Sequence, residues 1–270
     1  MVLPYGYATL LAGLLLVLFA ILFYVFWGLW HRRGRLSDIP LRSLPPVENL
    51  RTSLRRAAEM GEAVHLSPGV GAIDDRSSVA ETLAGLEVVQ GVARDALALG
   101  VPVHVTTNDG LVNLLAENSV QRALREAGHP AGLEAASELV AQQNRVAYAA
   151  GVMDRVGRPE VQGSVLVGSF TEELLLMGEV GARQTKFQVA GAVRPDAASF
   201  LPLVTDDFLL GEEIYAAGAY IDPKPARVVS LLAQDGIRMV LILLIVLGVI
   251  LATMGILEGT LEFLFQMPSP

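Results

Sequence analysis

The hydropathy pattern has an uncharged apolar run near each end and a polar, glycine-punctuated middle between them. Residues Met1 to Trp30 contain no charged side chain, and neither do Met239 to Ile256. Each run supplies the roughly 20 apolar residues that crossing a bilayer core requires. The pattern predicts a transmembrane helix over residues 1–30, a basic juxtamembrane linker over 31–46, one α/β domain over 47–236, a second transmembrane helix over 237–257 and a tail over 258–270.

Within the middle, helix and strand signals alternate. A helix from Val47 to Met60 stops at Gly61, and the apolar run Ala63 to Leu66 reads as a strand feeding the loop Ser67-Pro68-Gly69-Val70-Gly71. Ser78 with Glu81 forms a capping-box pattern ahead of a helix closed by Gly100. Val101 to Thr106 is a β-branched strand, and Asp109 can cap a helix running to Ala127, stopped by Gly128. Leu133 to Gln143 has no clear period, and Val146 to Val156 is helical. Ser164 to Phe170 reads as a buried strand followed by Thr171 as the cap of another helix. Phe187 to Ala190 is a short strand, and Leu203 to Tyr220 a last helix or pair of helices. This alternation predicts an α/β fold, a mostly parallel sheet with helices on both faces, flanked by two transmembrane helices.

Charge orients the arrangement. The formal net charge is -8, but His31 to Arg56 holds seven Arg against two acids, whereas Ala57 to Gly236 holds 12 basic and 24 acidic residues. Arg and Lys next to a span mark its cytoplasmic side, so Arg32, Arg33, Arg35 and Arg238 place the domain in the cytoplasm and both termini outside, in the cell membrane. Trp27 and Trp30, with Tyr5 and Tyr7, suit interfacial aromatic belts. A signal peptide would need a basic start, a shorter apolar core and a small-residue cleavage site, none of which is present. The basic collar serves either as a topology signal or as a contact for anionic headgroups. An acidic domain argues against nucleic acid as a partner, and the lack of cysteine excludes disulfides and thiolate metal sites.

In a parallel sheet, ligands bind beyond the carboxyl ends of the strands. That rule selects Ser67, Gly69, Gly71, Thr106, Thr107, Asn108, Gly168, Ser169 and Thr171 as candidate ligand-binding residues. Gly69 and Gly71 open a dinucleotide-loop pattern, but Asp74 stands where a third Gly is needed. Ser67 or Ser169, with His65 or His104 and Asp109 or Asp74, holds the residue types of a nucleophilic triad, yet neither Ser lies in Gly-x-Ser-x-Gly. Asp206, Asp207, Glu212 and Glu213 could hold a hard cation, or simply form a solvated helix face. No motif names a cofactor. In the second run Gly248, Ala252 and Gly255 give one small face, matched by Ala8 and Ala12 in the first; it serves close helix packing or reflects ordinary span composition. Neither run contains an ionisable residue, so they read as anchors.

Four stretches, Ala80-Glu81-Thr82-Leu83-Ala84-Gly85-Leu86, Ala147-Tyr148-Ala149-Ala150-Gly151-Val152, Val165-Leu166-Val167-Gly168-Ser169-Phe170 and Gly211-Glu212-Glu213-Ile214-Tyr215-Ala216-Ala217-Gly218-Ala219-Tyr220, resemble a family of bacterial and archaeal membrane proteins with a cytoplasmic domain of unknown function. The resemblance covers most of the region from Gly61 to Tyr220. It implies a shared fold and transfers no catalytic residue. The expectation is a non-enzymatic, membrane-anchored scaffold or assembly protein whose partners are the bilayer and either a second copy or another membrane protein. The alternative is a small-ligand or nucleotide sensor using the strand-end loops.

Overall fold

The computed structural model describes residues 5–33, 42–128 and 133–253, and the chain divides into two compact units, residues 1–40 with 224–270, and residues 41–223. Helix α1 (Tyr5–Arg33) belongs to the first. The second unit begins with α2 (Pro45–Met60), whose Pro45 and Pro46 suit a helix start because the first turn's N–H groups have no intrahelical partner. It then alternates through β1 (Ala63–Gly69), α3 (Val79–Ala98), β2 (Val103–Thr107), α4 (Gly110–Glu126), β3 (Ala135–Leu139), α5 (Arg145–Val156), β4 (Val161–Ser169), α6 (Glu173–Gln184) and β5 (Phe187–Ala192). Two single-turn helices, α7 (Pro195–Ala198) and α8 (Leu201–Val204), precede β6 (Asp207–Leu210) and α9 (Glu213–Ile221).

The six strands form one all-parallel sheet in the order β3-β2-β1-β4-β5-β6. Each half winds outward from the centre, so the topological switch point lies between β1 and β4. Side chains alternate across the pleat. Val64, Leu66, Val103, Val105, Val165 and Val167 face one core with α2, α3, α4 and α9, while Leu166 and Ala190 face the other with α5, α6, α7 and α8. The expected α/β sheet with helices on both faces is present, and every strand pair described is parallel.

Several local expectations change. Strand β1 runs on to Gly69, so Ser67-Pro68-Gly69 is strand rather than loop; Pro68 cannot donate to the ladder and sits where the β1–β4 register shifts, between Ser67 and Gly69. The stretch around Leu133 to Gln143 contains the edge strand β3. Leu203 to Tyr220 is not helical throughout. Thr205 turns extended, its Oγ1 donating to Gln188 O at 2.7 Å, and β6 then pairs with β5 before Gly211, at φ +59°, turns the chain into α9. The capping box of α3 does not form, because Ser78 Oγ is engaged with Ala72 and the Asp75 carboxylate. Asp109, by contrast, caps α4 as expected, accepting from Leu111 N and Val112 N at 3.0 Å.

The unit's first and last helices are tied together. Arg51 of α2 donates to the carbonyls of Tyr220 and Ile221, which sit at the C-terminus of α9 where a cation is favourable. Arg94 of α3 pairs with Asp222 just beyond, at 2.9 Å.

In the other unit the last helix, α10 (Pro225–Thr253), starts well before the expected boundary at residue 237, and runs through Gly236 without a break. Its stretch Pro225–Ile250 is long and apolar enough to cross a membrane, and α1 contributes the shorter apolar stretch Gly13–Leu29. The two helices pack together at Gly236, where a Cβ would stand 3.2 Å from Leu22 Cδ1 and 3.3 Å from Phe26 Cε2. A Cβ on Gly248 would meet nothing within 4 Å among the described residues. The side chains of Tyr5, Tyr7, Ala8, Ala12, Trp30 and Ala252, the linker from Gly34 to Leu41, and the chain from Met254 onward, with Gly255 and the tail, lie outside the described residues.

Candidate functional site

The nine strand-end candidates do converge at the carboxyl edge of the sheet, but mostly onto one another. Gly69, at φ +94°, lies so near β4 that a Cβ there would stand 2.0 Å from Ser169 O. Gly168, at φ +151°, would bring a Cβ to 2.1 Å from Pro68 O. A Cβ on Gly71 would stand 2.2 Å from Thr82 Oγ1 and 2.7 Å from Ser169 Cβ. Helix α3 closes over both strands through Gly85, whose Cβ would meet Val167 O at 2.5 Å. The glycines thus serve backbone-to-backbone packing at the switch point.

Most of the polar candidates are committed as well. Thr107 Oγ1 donates to Asn113 Oδ1 at 3.1 Å, on the α4 side. Thr171 does not cap α6; its N–H and hydroxyl both donate to the buried Glu173 carboxylate, and Arg145 reaches Thr171 Oγ1 at 3.3 Å. Ser169 lies near Glu81, whose carboxyl is raised by burial, an effect Ser169 opposes, and one Glu81 carboxylate oxygen is buried without a partner among the described residues. Asn108 accepts from Gln143 N at 3.0 Å through its backbone carbonyl, in a loop where Ala141 and Gln143 both adopt positive φ, while its buried side-chain Oδ1 has no partner among the described residues.

Beneath these ends lies a buried network. Tyr148, from the face of α5 turned to the sheet, bonds Ser67 Oγ at 2.6 Å, Thr106 Oγ1 at 3.3 Å and Thr106 O at 3.0 Å. His65 Nε2 meets Thr106 Oγ1 at 2.8 Å, and Gly69 N donates to Ser67 Oγ at 3.1 Å. Only Tyr148 can donate to the Thr106 carbonyl, so its phenolic oxygen accepts from the Ser67 and Thr106 hydroxyls. Thr106 Oγ1 in turn accepts from His65 Nε2–H. This assignment leaves His65 Nδ1 as a bare lone pair, less costly to bury than an unpaired N–H. Burial pushes the Tyr148 phenol up to about 12 against the pull of its hydroxyl partners. Burial, reinforced by His104 and Arg155, pushes His65 down to about 3.

No nucleophilic triad assembles from these groups: His65 is spent on Thr106, Ser67 on Tyr148, and Asp109 on the α4 cap. The acidic cluster is dispersed as well. Asp207 accepts from Asn49 at 2.6 Å and Glu213 from Leu210 N at 3.1 Å, and among the described residues no group of three or more carboxylate or imidazole side chains is placed to hold a metal. Sequence reasoning missed Tyr148, Glu81 and Glu173. Tyr148 had a signal, as the one hydroxyl in the apolar run Ala147-Tyr148-Ala149-Ala150; nothing local marked the two carboxylates as buried. Tyr148→Phe would strand the Ser67 hydroxyl and the Thr106 carbonyl, and should cost about 1–3 kcal/mol in thermal or denaturant unfolding.

Residues 6–263 match one family over nearly the whole chain. The chain belongs to DUF6754, a domain of unknown function. The DUF6754 match takes in both apolar helices together with the α/β unit. No curated protein matches the chain. Among solved structures, a shikimate dehydrogenase from Mycobacterium tuberculosis is similar at 15% identity with a TM-score of 0.32, over 68% of this chain and 62% of that one. The DUF6754 chain therefore spans less than two thirds of that enzyme's length.

Proposed function

We propose that this protein is a membrane-anchored, non-enzymatic assembly protein: α1 and α10 are two spans, and the α/β unit associates in the cytoplasm with a second copy or with another membrane protein. The observation that carries this reading is an exposed leucine face. Leu111, Leu114 and Leu115 follow one another at i, i+3 and i+4 on α4, and Leu83 of α3 lines a groove with Leu115; these four are 49%, 64%, 38% and 48% exposed. An apolar stripe of this kind on a soluble surface is a mark of protein contact. The packed strand ends add support, since Ser67, Thr106, Thr107, Asn108, Ser169 and Thr171 are each at most 3% exposed. A sensor using the strand-end loops draws less support for the same reason.

Cross-linking and native mass measurement of the full chain in detergent should show a dimer or a retained membrane-protein partner, lost on Leu114→Glu. Monomers alone, with no partner retained, would overturn the reading. The two spans are read from the uncharged apolar runs, and the outward termini from the Arg collar. With no native cysteine, single Cys substitutions at Ser37 and Ser269 should label from opposite sides of the membrane, and labelling from one side would sink the topology.

A further inference from the structure

At the opposite edge of the sheet from the strand ends, a polar cleft of about 320 Å³ opens between α2 and the first residues of β5 and β6. Asn49, Ser53 and Arg56 line it from α2, and Phe187, Asp206 and Asp207 from the sheet side. Most of its polar groups already have partners. Asn49 Nδ2 donates to Asp207 Oδ1, Lys186 is held by Glu62, and Thr205 Oγ1 donates to Gln188 O. Two charges of opposite sign remain. Arg56 and Asp206 line the same cleft, yet among the described residues neither side chain makes an ion pair or hydrogen bond.

A guanidinium fork matches a carboxylate through two parallel N–H···O bonds, and a free carboxylate is the natural acceptor for an ammonium group. The half-buried Phe187 ring supplies an apolar part of the lining, and the volume, near the low end for ligand clefts, limits the occupant to a small molecule. We propose that this cleft binds an amino-acid-like zwitterion, with its carboxylate on Arg56 and its ammonium on Asp206. Such a ligand bridges α2 to the start of β6, so it ties the first helix of the α/β unit to the edge of the sheet. The assembly reading is independent of this site, and either can fail without the other.

The test is a thermal-shift measurement on the full chain in detergent with each of the twenty proteinogenic L-amino acids at millimolar concentration. At least one should raise the Tm of the α/β unit, since a ligand that binds only the folded state stabilises it. Arg56→Gln and Asp206→Asn should each weaken binding at least tenfold and leave the ligand-free Tm unchanged, because both side chains are exposed and unpaired. The N-acetyl and carboxamide forms of the binding amino acid should fail to shift the Tm. The proposal is overturned if none of the twenty raises the Tm, if the shift survives both substitutions, or if the capped forms bind as well as the free one.

Discussion

Lowering the pH from 7 toward 4 will destabilise the α/β unit steeply, and His65→Gln will remove most of that loss. The imidazole of His65 is fully buried, and its folded-state value lies at about 3 against 6.5 for an ordinary His. Between those values the unfolded chain binds a proton that the folded chain refuses. The stabilising contribution is therefore complete above about pH 6.5 and declines as the pH falls, by up to about 1.4 kcal/mol per pH unit, until the folded state protonates near pH 3. His104 acts in the same direction, its value lowered by burial and by Arg155. Glu81 acts in the opposite direction, since a carboxyl raised by burial binds its proton more readily when folded. The comparison of native and His65→Gln profiles isolates the one group, because Gln can still donate to Thr106 and carries no titrating ring. Denaturant unfolding at half-unit pH steps reads the difference. Parallel profiles for the two proteins would refute the assignment.

Gly85→Ala should destabilise the unit by about 3 kcal/mol or more, although helix propensity alone predicts a gain of about 1 kcal/mol for this exchange. Gly85 sits inside α3, and its added methyl would stand 2.5 Å from Val167 O and 2.9 Å from Gly168 Cα. Both are backbone atoms of β4, held by the sheet ladder, so the strain cannot be relieved by rotating a side chain. Gly69→Ala should be at least as damaging, because a methyl at 2.0 Å from Ser169 O is joined to a backbone at φ +94° that L residues rarely adopt. Gly61→Ala is the control. It has positive φ but nothing within 4 Å, so it should lose only the conformational term of roughly 1–2 kcal/mol. Thermal unfolding followed by circular dichroism gives the ranking, and a stabilised Gly85→Ala would show that α3 does not close on the sheet as described.

The parts of the fold that were legible from the sequence are those buried on both faces. Strands β1, β2, β4 and β5 announce themselves as apolar or β-branched runs because every pleat position meets a core. The two strands that escaped notice, β3 and β6, are the edges of the sheet. In β3 only alternate positions are even half-buried, with Ala136, Glu138 and Leu139 exposed, and the four residues of β6 are too few to show a period. Caps were legible where the side chain had no rival use. Asp109 reaches its helix, whereas Ser78 is drawn to Ala72 and Asp75, a pairing that depends on how the β1–α3 loop folds back. The candidate site shows the same limit. The topology rule placed Ser67, Gly69, Thr106, Gly168 and Ser169 correctly at one edge of the sheet. Whether glycines there open a space for phosphate or allow two strands and a helix to close on each other depends on distances of a few ångströms between segments about 100 residues apart. A one-dimensional pattern does not carry that information.

The bonds from Arg51 to the end of α9, and from Arg94 to Asp222, mean that the chain enters and leaves the α/β unit through neighbouring helices. A domain with adjacent ends behaves as a cassette. It can be inserted between two segments of a host chain without prising them apart, and it can be removed while they stay close. For this chain the residues flanking the cassette are α1 and α10, which pack together at Gly236. A helical hairpin that accepted an insert at its turn would arrive at this architecture in a single event, with no need to invent a new route for the chain.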